Sequence, residues 1–164
     1  MEIFTSGDNL ISFIFVIFLV NIISVLSATV NISSCGQNIN ASGSYLLNQS
    51  ITSTATCLTT NSSNVEIDCA GNTITYGTGG TANSIGINAI HPTISQVNLT
   101  IKNCILIKTS VGGSGGNGIM LTRFANSTIV NNTISTNGVN ANRGIYILTG
   151  AAGNNISRNT ITTN

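Results

Sequence analysis

Downstream of residue 28 the chain carries only two carboxylates, Glu66 and Asp68. They flank Ile67, and in an extended strand residues two apart share a face. Two carboxylates so placed could act as acid and base on a glycosidic bond, or share a cation. Two solvated outward residues at the start of a repeat is the simpler reading, and two ligands alone hold calcium weakly. Arg123, Arg143 and Arg158 could serve as a lyase base or a sugar contact, but they take unlike places in the sequence pattern and do not line one groove. The single histidine, His91, precedes Pro92 in a turn-like setting, and there is no C-x-x-C, so a zinc site has no ligand set. Gly112-Gly-Ser-Gly-Gly-Asn-Gly118 lacks the Lys-Ser/Thr that completes a phosphate cradle, and reads as a loop. No catalytic residue, metal site or cofactor is expected from these residues.

Two other residue classes bear chemistry. Cys35, Cys57, Cys69 and Cys104 form an even set, which suggests disulfides in an oxidising compartment with three pairings open. Free buried thiols are the competing reading. Asn-x-Ser/Thr occurs at Asn31, Asn40, Asn48, Asn61, Asn98, Asn126, Asn131 and Asn155. Each is an N-glycan acceptor if the chain is exported in a glycosylating host, although a chain so rich in Asn, Ser and Thr generates such triplets by chance.

The elements that must position these residues are short and repeated. Leu99-Thr-Ile-Lys-Asn-Cys-Ile-Leu106, Thr128-Ile-Val-Asn-Asn-Thr-Ile134 and Asn155-Ile-Ser-Arg-Asn-Thr-Ile161 echo one another. Ile101, Ile129 and Ile156 take equivalent places, 28 and then 27 residues apart. A second echo, Gly86-Ile-Asn-Ala, Gly118-Ile-Met-Leu and Gly144-Ile-Tyr-Ile, interleaves with the first. Strand-like units recurring at a period in the twenties mark a solenoid. Stacked rounds would set Ile129 between Ile101 and Ile156, and Asn132 and Asn159 in a turn ladder of side-chain amides. Cys104 takes the same turn position one round lower and Cys69 a similar turn below that, which favours Cys69–Cys104 and leaves Cys35–Cys57. The insertion Ala70-Gly71 leaves that register open by a residue or two.

Composition agrees with such a chain. Charged residues are 5% and hydrophobic residues 41% of the 164, against about 25% charged in an ordinary soluble domain. The net charge is +1 with the cations scattered, so the basic stripe that nucleic acid requires is missing. Residues 10–28 form a nearly unbroken apolar run of 19 residues. Its small residues at the end suit a cleaved signal, whereas its length and the acidic start suit a retained anchor. The organisation expected is therefore residues 1–28 as signal peptide or membrane anchor, 29–64 as an amino-terminal capping segment, and 65–164 as β-helix repeats that stop in mid-round.

Over roughly residues 43–164 these repeats resemble the right-handed parallel β-helix, or pectate-lyase-like, superfamily, in the flavour of NosD-like exported proteins. The stretch from Thr56 through Cys57, Cys69 and Ile74 is similar to the opening segment of such proteins. The resemblance implies an all-β right-handed parallel β-helix; the register of the repeats gives about four coils, and the apolar run would precede them as a helix. That superfamily mixes enzymes, binders and inert scaffolds. A copper role of the NosD kind would want His, Met or Cys ligands, and Met120 and His91 are the only candidates besides the cysteines. The expected function is that of a non-catalytic, extracellular or cell-surface β-helix, scaffold- or adhesin-like or carbohydrate-binding. Its partners would be extracellular polysaccharide or cell-surface components, with membrane contact only through residues 10–28. The alternative is the amino-terminal part of a polysaccharide lyase or glycoside hydrolase whose catalytic coils lie beyond residue 164.

Overall fold

The computed structural model describes residues 28–91, 93, 96–109, 114–138 and 141–163. The expected amino-terminal helix lies outside them, and no described residue is helical. The chain instead passes through three parallel sheets in turn. From the amino end come β1 (Val30–Ile32) in the first sheet and β2 (Asn38–Ile39) in the third. Next are β3 (Gly43–Leu47), β4 (Ile51–Thr52) and β5 (Leu58–Thr60) in the first, second and third sheets. The same order repeats with β6 (Val65–Asp68), β7 (Thr73–Tyr76) and β8 (Ile85–Ile90). After β9 (Gln96–Val97) it repeats again with β10 (Leu99–Lys102), β11 (Ile105–Lys108) and β12 (Asn117–Thr122). After β13 (Phe124–Ala125), which pairs with β9, come β14 (Thr128–Val130), β15 (Thr133–Thr136) and β16 (Arg143–Ile147), then β17 (Asn155–Ser157) and β18 (Thr160–Thr163) in the first and second sheets. The same sheets thus run through residues 29–64 as well as 65–163.

Short β-branched segments form strands here because each finds a parallel neighbour roughly 4.8 Å away, on both sides except at the sheet ends. Register follows the inward side chains. In the first sheet Tyr45, Ile67, Ile101, Ile129 and Ile156 stand in one column. In the second, Ile51, Ile74, Leu106, Ile134 and Ile161 do so. In the third, Leu58, Ile87, Ile119 and Ile145 do so. A slip of one residue would turn a whole column outward. Burying one such side chain contributes about 1.5–3 kcal/mol, and the three columns meet in one continuous core except at Ile156 and Ile161, which are exposed.

The core is too narrow for side chains at every inward place. A Cβ on Gly118 would lie 2.3 Å from Ile134 Cγ2 and 2.6 Å from the Gly144 carbonyl oxygen. One on Gly144 would meet Ile161 Cγ2 at 2.2 Å, and one on Gly86 would meet the Gly118 oxygen at 2.7 Å. The interleaved Gly-Ile echo is therefore a packing requirement between the second and third sheets. Gly118→Ala is expected to cost at least about 1–3 kcal/mol of stability, the usual range for overpacking, read from the denaturant midpoint. An unchanged midpoint would contradict this packing.

Candidate functional site

The carboxylates Glu66 and Asp68 lie side by side on the outer surface of β6, with Lys102 one round above, directly paired with Asp68. Lys102 Nζ is 3.1 Å from Glu66 Oε1 and 3.5 Å from Asp68 Oδ2. The Asn103 Nδ2 amide and the Ala70 N–H both donate to Asp68 Oδ1. Partial burial pushes the Asp68 carboxyl upward, but those hydrogen bonds and the nearby ammonium outweigh it and hold it below the usual carboxylate range. The hydrogen bond to Glu66 raises Lys102 above its ordinary value against its own desolvation, and the charges of both carboxylates reinforce the rise. A carboxylate with a depressed proton affinity, already bridged by an ammonium, is poorly suited to donate a proton. Among the described residues no group of three or more His, Cys, Asp and Glu side chains converges.

The cysteines are brought together as Cys35–Cys57, with Cα atoms 4.5 Å apart, and Cys69–Cys104, with Cα atoms 4.7 Å apart. Both bridges suit an oxidising environment. The second lies in the corner between the first and second sheets, where successive rounds place Asn72, Cys104, Asn132 and Asn159. Asn132 Nδ2 donates to the Ile101 carbonyl oxygen one round below, and Asn159 Nδ2 to that of Ile129. Asn72 Nδ2 donates likewise to Leu47. The Cys104 N–H donates to Asn132 Oδ1, and the Asn132 N–H to Asn159 Oδ1. Each amide thereby pairs backbone groups that a tight turn would otherwise leave unmatched in the interior. Because β6 and β7 are joined by a longer turn, Asn72 rather than Cys69 stands beneath Cys104. Where Cys104 interrupts the amide series, the bridge to Cys69 ties the rounds together.

The basic residues do not converge. Arg143 stacks on Tyr146 with its guanidinium carbon 4.2 Å from the ring centroid. Arg123 donates to the His91 carbonyl oxygen, and Arg158 lies in a turn with positive φ. Lys108 points inward, a placement its sequence does not advertise. It is 1% exposed, between Tyr76 below and Thr136 above. Its ammonium donates to the Asn137 carbonyl oxygen and to Asn142 Oδ1, which also accepts the Gly116 N–H. Burial lowers its proton affinity, and its ammonium ties the end of β11 to the connection between β15 and β16, which Asn142 in turn links to Gly116. The available clue was alternation, since Leu106 faces inward and residue 108 must follow it.

The outer face of the second sheet is lined by Thr and Ser, with one apolar row at β11. Thr52, Thr75, Ile107, Ser135 and Thr162 form one column, and Thr73, Ile105, Thr133 and Thr160 the next. None of these side chains is buried. Hydroxyls thus recur about every 4.8 Å along the stack except at the β11 row, where Ile105 and Ile107 stand instead, and about 6.7 Å along each strand.

The Asp68 cluster has a signed pH consequence. A carboxyl depressed in the folded state contributes stability that is fully present above its unfolded pKa, about 3.9, and lost as pH falls through the lower folded value. Because the groups are partly exposed, the contribution should be within about 0.2–1 kcal/mol. In thermal melts the advantage of the parent over Asp68→Asn should stay level between about pH 7 and 5 and shrink below about 4. An advantage that grew on acidification would contradict the assignment.

Compared with known proteins, the chain matches no family model, and neither curated proteins nor solved structures show a match.

Proposed function

We propose that the chain is an exported right-handed parallel β-helix whose work is non-catalytic: a surface scaffold that holds extracellular polysaccharide against the outer face of its second sheet. The rotating order of the three sheets supports the coil, and the right-handed sense is the one nearly all parallel crossovers take. The two disulfides and the apolar stretch at residues 10–28 support export.

The grid of Thr and Ser hydroxyls on the second sheet carries the functional reading. Each hydroxyl–sugar hydrogen bond contributes only about 0.5–1.5 kcal/mol net, so one sugar unit binds weakly. A polymer lying along the stack engages many rows at once and gains by multivalency. The Thr methyls with Ile105 and Ile107 offer apolar contact to the C–H faces of sugar rings. Glu66 and Asp68, bridged by Lys102 on the first sheet, lend no support to a cleaving site on the second.

The purified chain, disulfides formed, can be tested for co-sedimentation with cellulose, chitin and pectin gel. Retention is expected on at least one, weakened several-fold by the double variant Thr75→Glu/Ser135→Glu and unchanged by Thr100→Ser on the first sheet. Equal retention of the Glu variant, no retention on any of the three, or release of new sugar ends would overturn the reading.

A further inference from the structure

The eight Asn-x-Ser/Thr acceptors are not spread around the molecule. Asn31 and Asn155 lie in first-sheet strands β1 and β17. Asn48 and Asn131 follow β3 and β14 in the turns that leave the first sheet. Asn40, Asn61, Asn98 and Asn126 lie in the connections that enter it. None falls in a strand of the second or third sheet, or in the described connections between those two. That corner contains Asn83, Asn137 and Asn142, yet their second neighbours are Ile85, Val139 and Gly144.

All eight acceptor asparagines are exposed, whereas Asn117 and Asn132 are buried and Asn72, Asn154 and Asn159 partly so. Strand alternation explains part of this. An inward Asn has an inward, apolar second neighbour: Ile74 after Asn72, Ile134 after Asn132, Ile161 after Asn159. Alternation acts on all three sheets alike, however, and does not explain confinement to one. Nor does copying of one repeat. Asn40 and Asn61 share a register, as do Asn98 and Asn126, but Asn155 pairs with Thr128 and Asn31 with Leu46.

Two of the acceptor amides have a close neighbour one round away. A Cβ at position 153 would meet Asn126 Oδ1 at 2.4 Å, and Gly153 avoids it. Asn98 Nδ2 donates to Asn64 Oδ1 at 2.9 Å. An N-glycosylated amide keeps one N–H, so a donor for that bond remains.

We infer that the first sheet and its two margins form the glycan-bearing side of the molecule, N-glycosylated during export and leaving the second sheet bare. The inference rests on the export part of the proposed function. In the transfer, Asn Nδ2 forms a bond to the anomeric carbon of a lipid-diphosphate-linked oligosaccharide. The sugar–phosphate C–O bond breaks, the lipid diphosphate leaves with the electron pair, and the amide proton passes to solvent. Glycans so placed would cover outward first-sheet residues such as Leu46 and Val130 and leave Ile105 and Ile107 uncovered.

The test is to express the full chain in a eukaryotic secreting cell line and recover it from the medium. An N-glycan amidase in heavy-oxygen water then marks each occupied Asn as labelled Asp. Labelled sites are expected in both margins of the first sheet, among them Asn98, Asn126 and Asn131. Hydroxyl-radical footprinting before and after amidase should show Leu46 and Val130 labelled several-fold more once the glycans are removed, with Ile105 and Ile107 unchanged. Secreted chain with no labelled Asn, or equal deprotection of both sheets, overturns the inference while leaving export intact. Retention of the chain in the cytosol overturns export itself and the inference with it.

Discussion

Everything in this molecule depends on in-register stacking: each inward side chain and each corner amide must land on its counterpart one round away. Strands of two to six residues cannot hold together as isolated hairpins. They hold because the Ile columns, the corner asparagines and the backbone ladders all specify the same repeat. The asparagine corner is the strictest part. Asn132 is 1% exposed and contacts the rounds on both sides through its amide, so no other register matches its donors and acceptor. Stranding one such buried group costs about 1–3 kcal/mol. The Cys69–Cys104 bridge occupies the one place in that series where the amide is missing.

Stacking on the inside also organises the outside. Alternation sends hydroxyls, acids and acceptor asparagines outward, and the sheets then acquire different chemistry. The first carries the Glu66–Asp68–Lys102 cluster, with the acceptor asparagines in its strands and at its margins. The second carries a grid of Thr, Ser and Ile. Lys108 is the exception, a lysine turned inward so that its ammonium holds the connection between β15 and β16 while its stem packs against Gly116. In each case the side chain's direction follows from strand parity, and its effect follows from what the neighbouring round presents.

Much of this was legible in the sequence wherever the repeat was regular. The spacing of Ile101, Ile129 and Ile156 located one core column, and the Gly-Ile echo located the third sheet. The Asn132–Asn159 ladder could be read because both turns have the same length. Legibility failed where turns change length. The four-residue turn from Cys69 to Asn72 is matched by the two-residue turn Asn103-Cys104, so the partner below Cys104 was obscured. It also failed where hydropathy and direction disagree. Ile105 and Ile107 look like core but face outward, and Lys108 looks like surface but is buried. The strands before residue 65 share the three sheets, yet their shorter rounds hide them from a search for a period in the high twenties.

The most direct test of the stacked register is disulfide mapping of the unreduced chain. Cleavage by chymotrypsin between Cys35 and Cys57, at Glu66 or Asp68 between Cys57 and Cys69, and at Lys102 between Cys69 and Cys104 separates all four cysteines. Mass spectrometry should find the linked peptides Cys35–Cys57 and Cys69–Cys104, because only a stack with β10 resting on β6 brings the second pair within bonding distance. Linkage of Cys57 to Cys69 or to Cys104, with the remaining two joined, would contradict it.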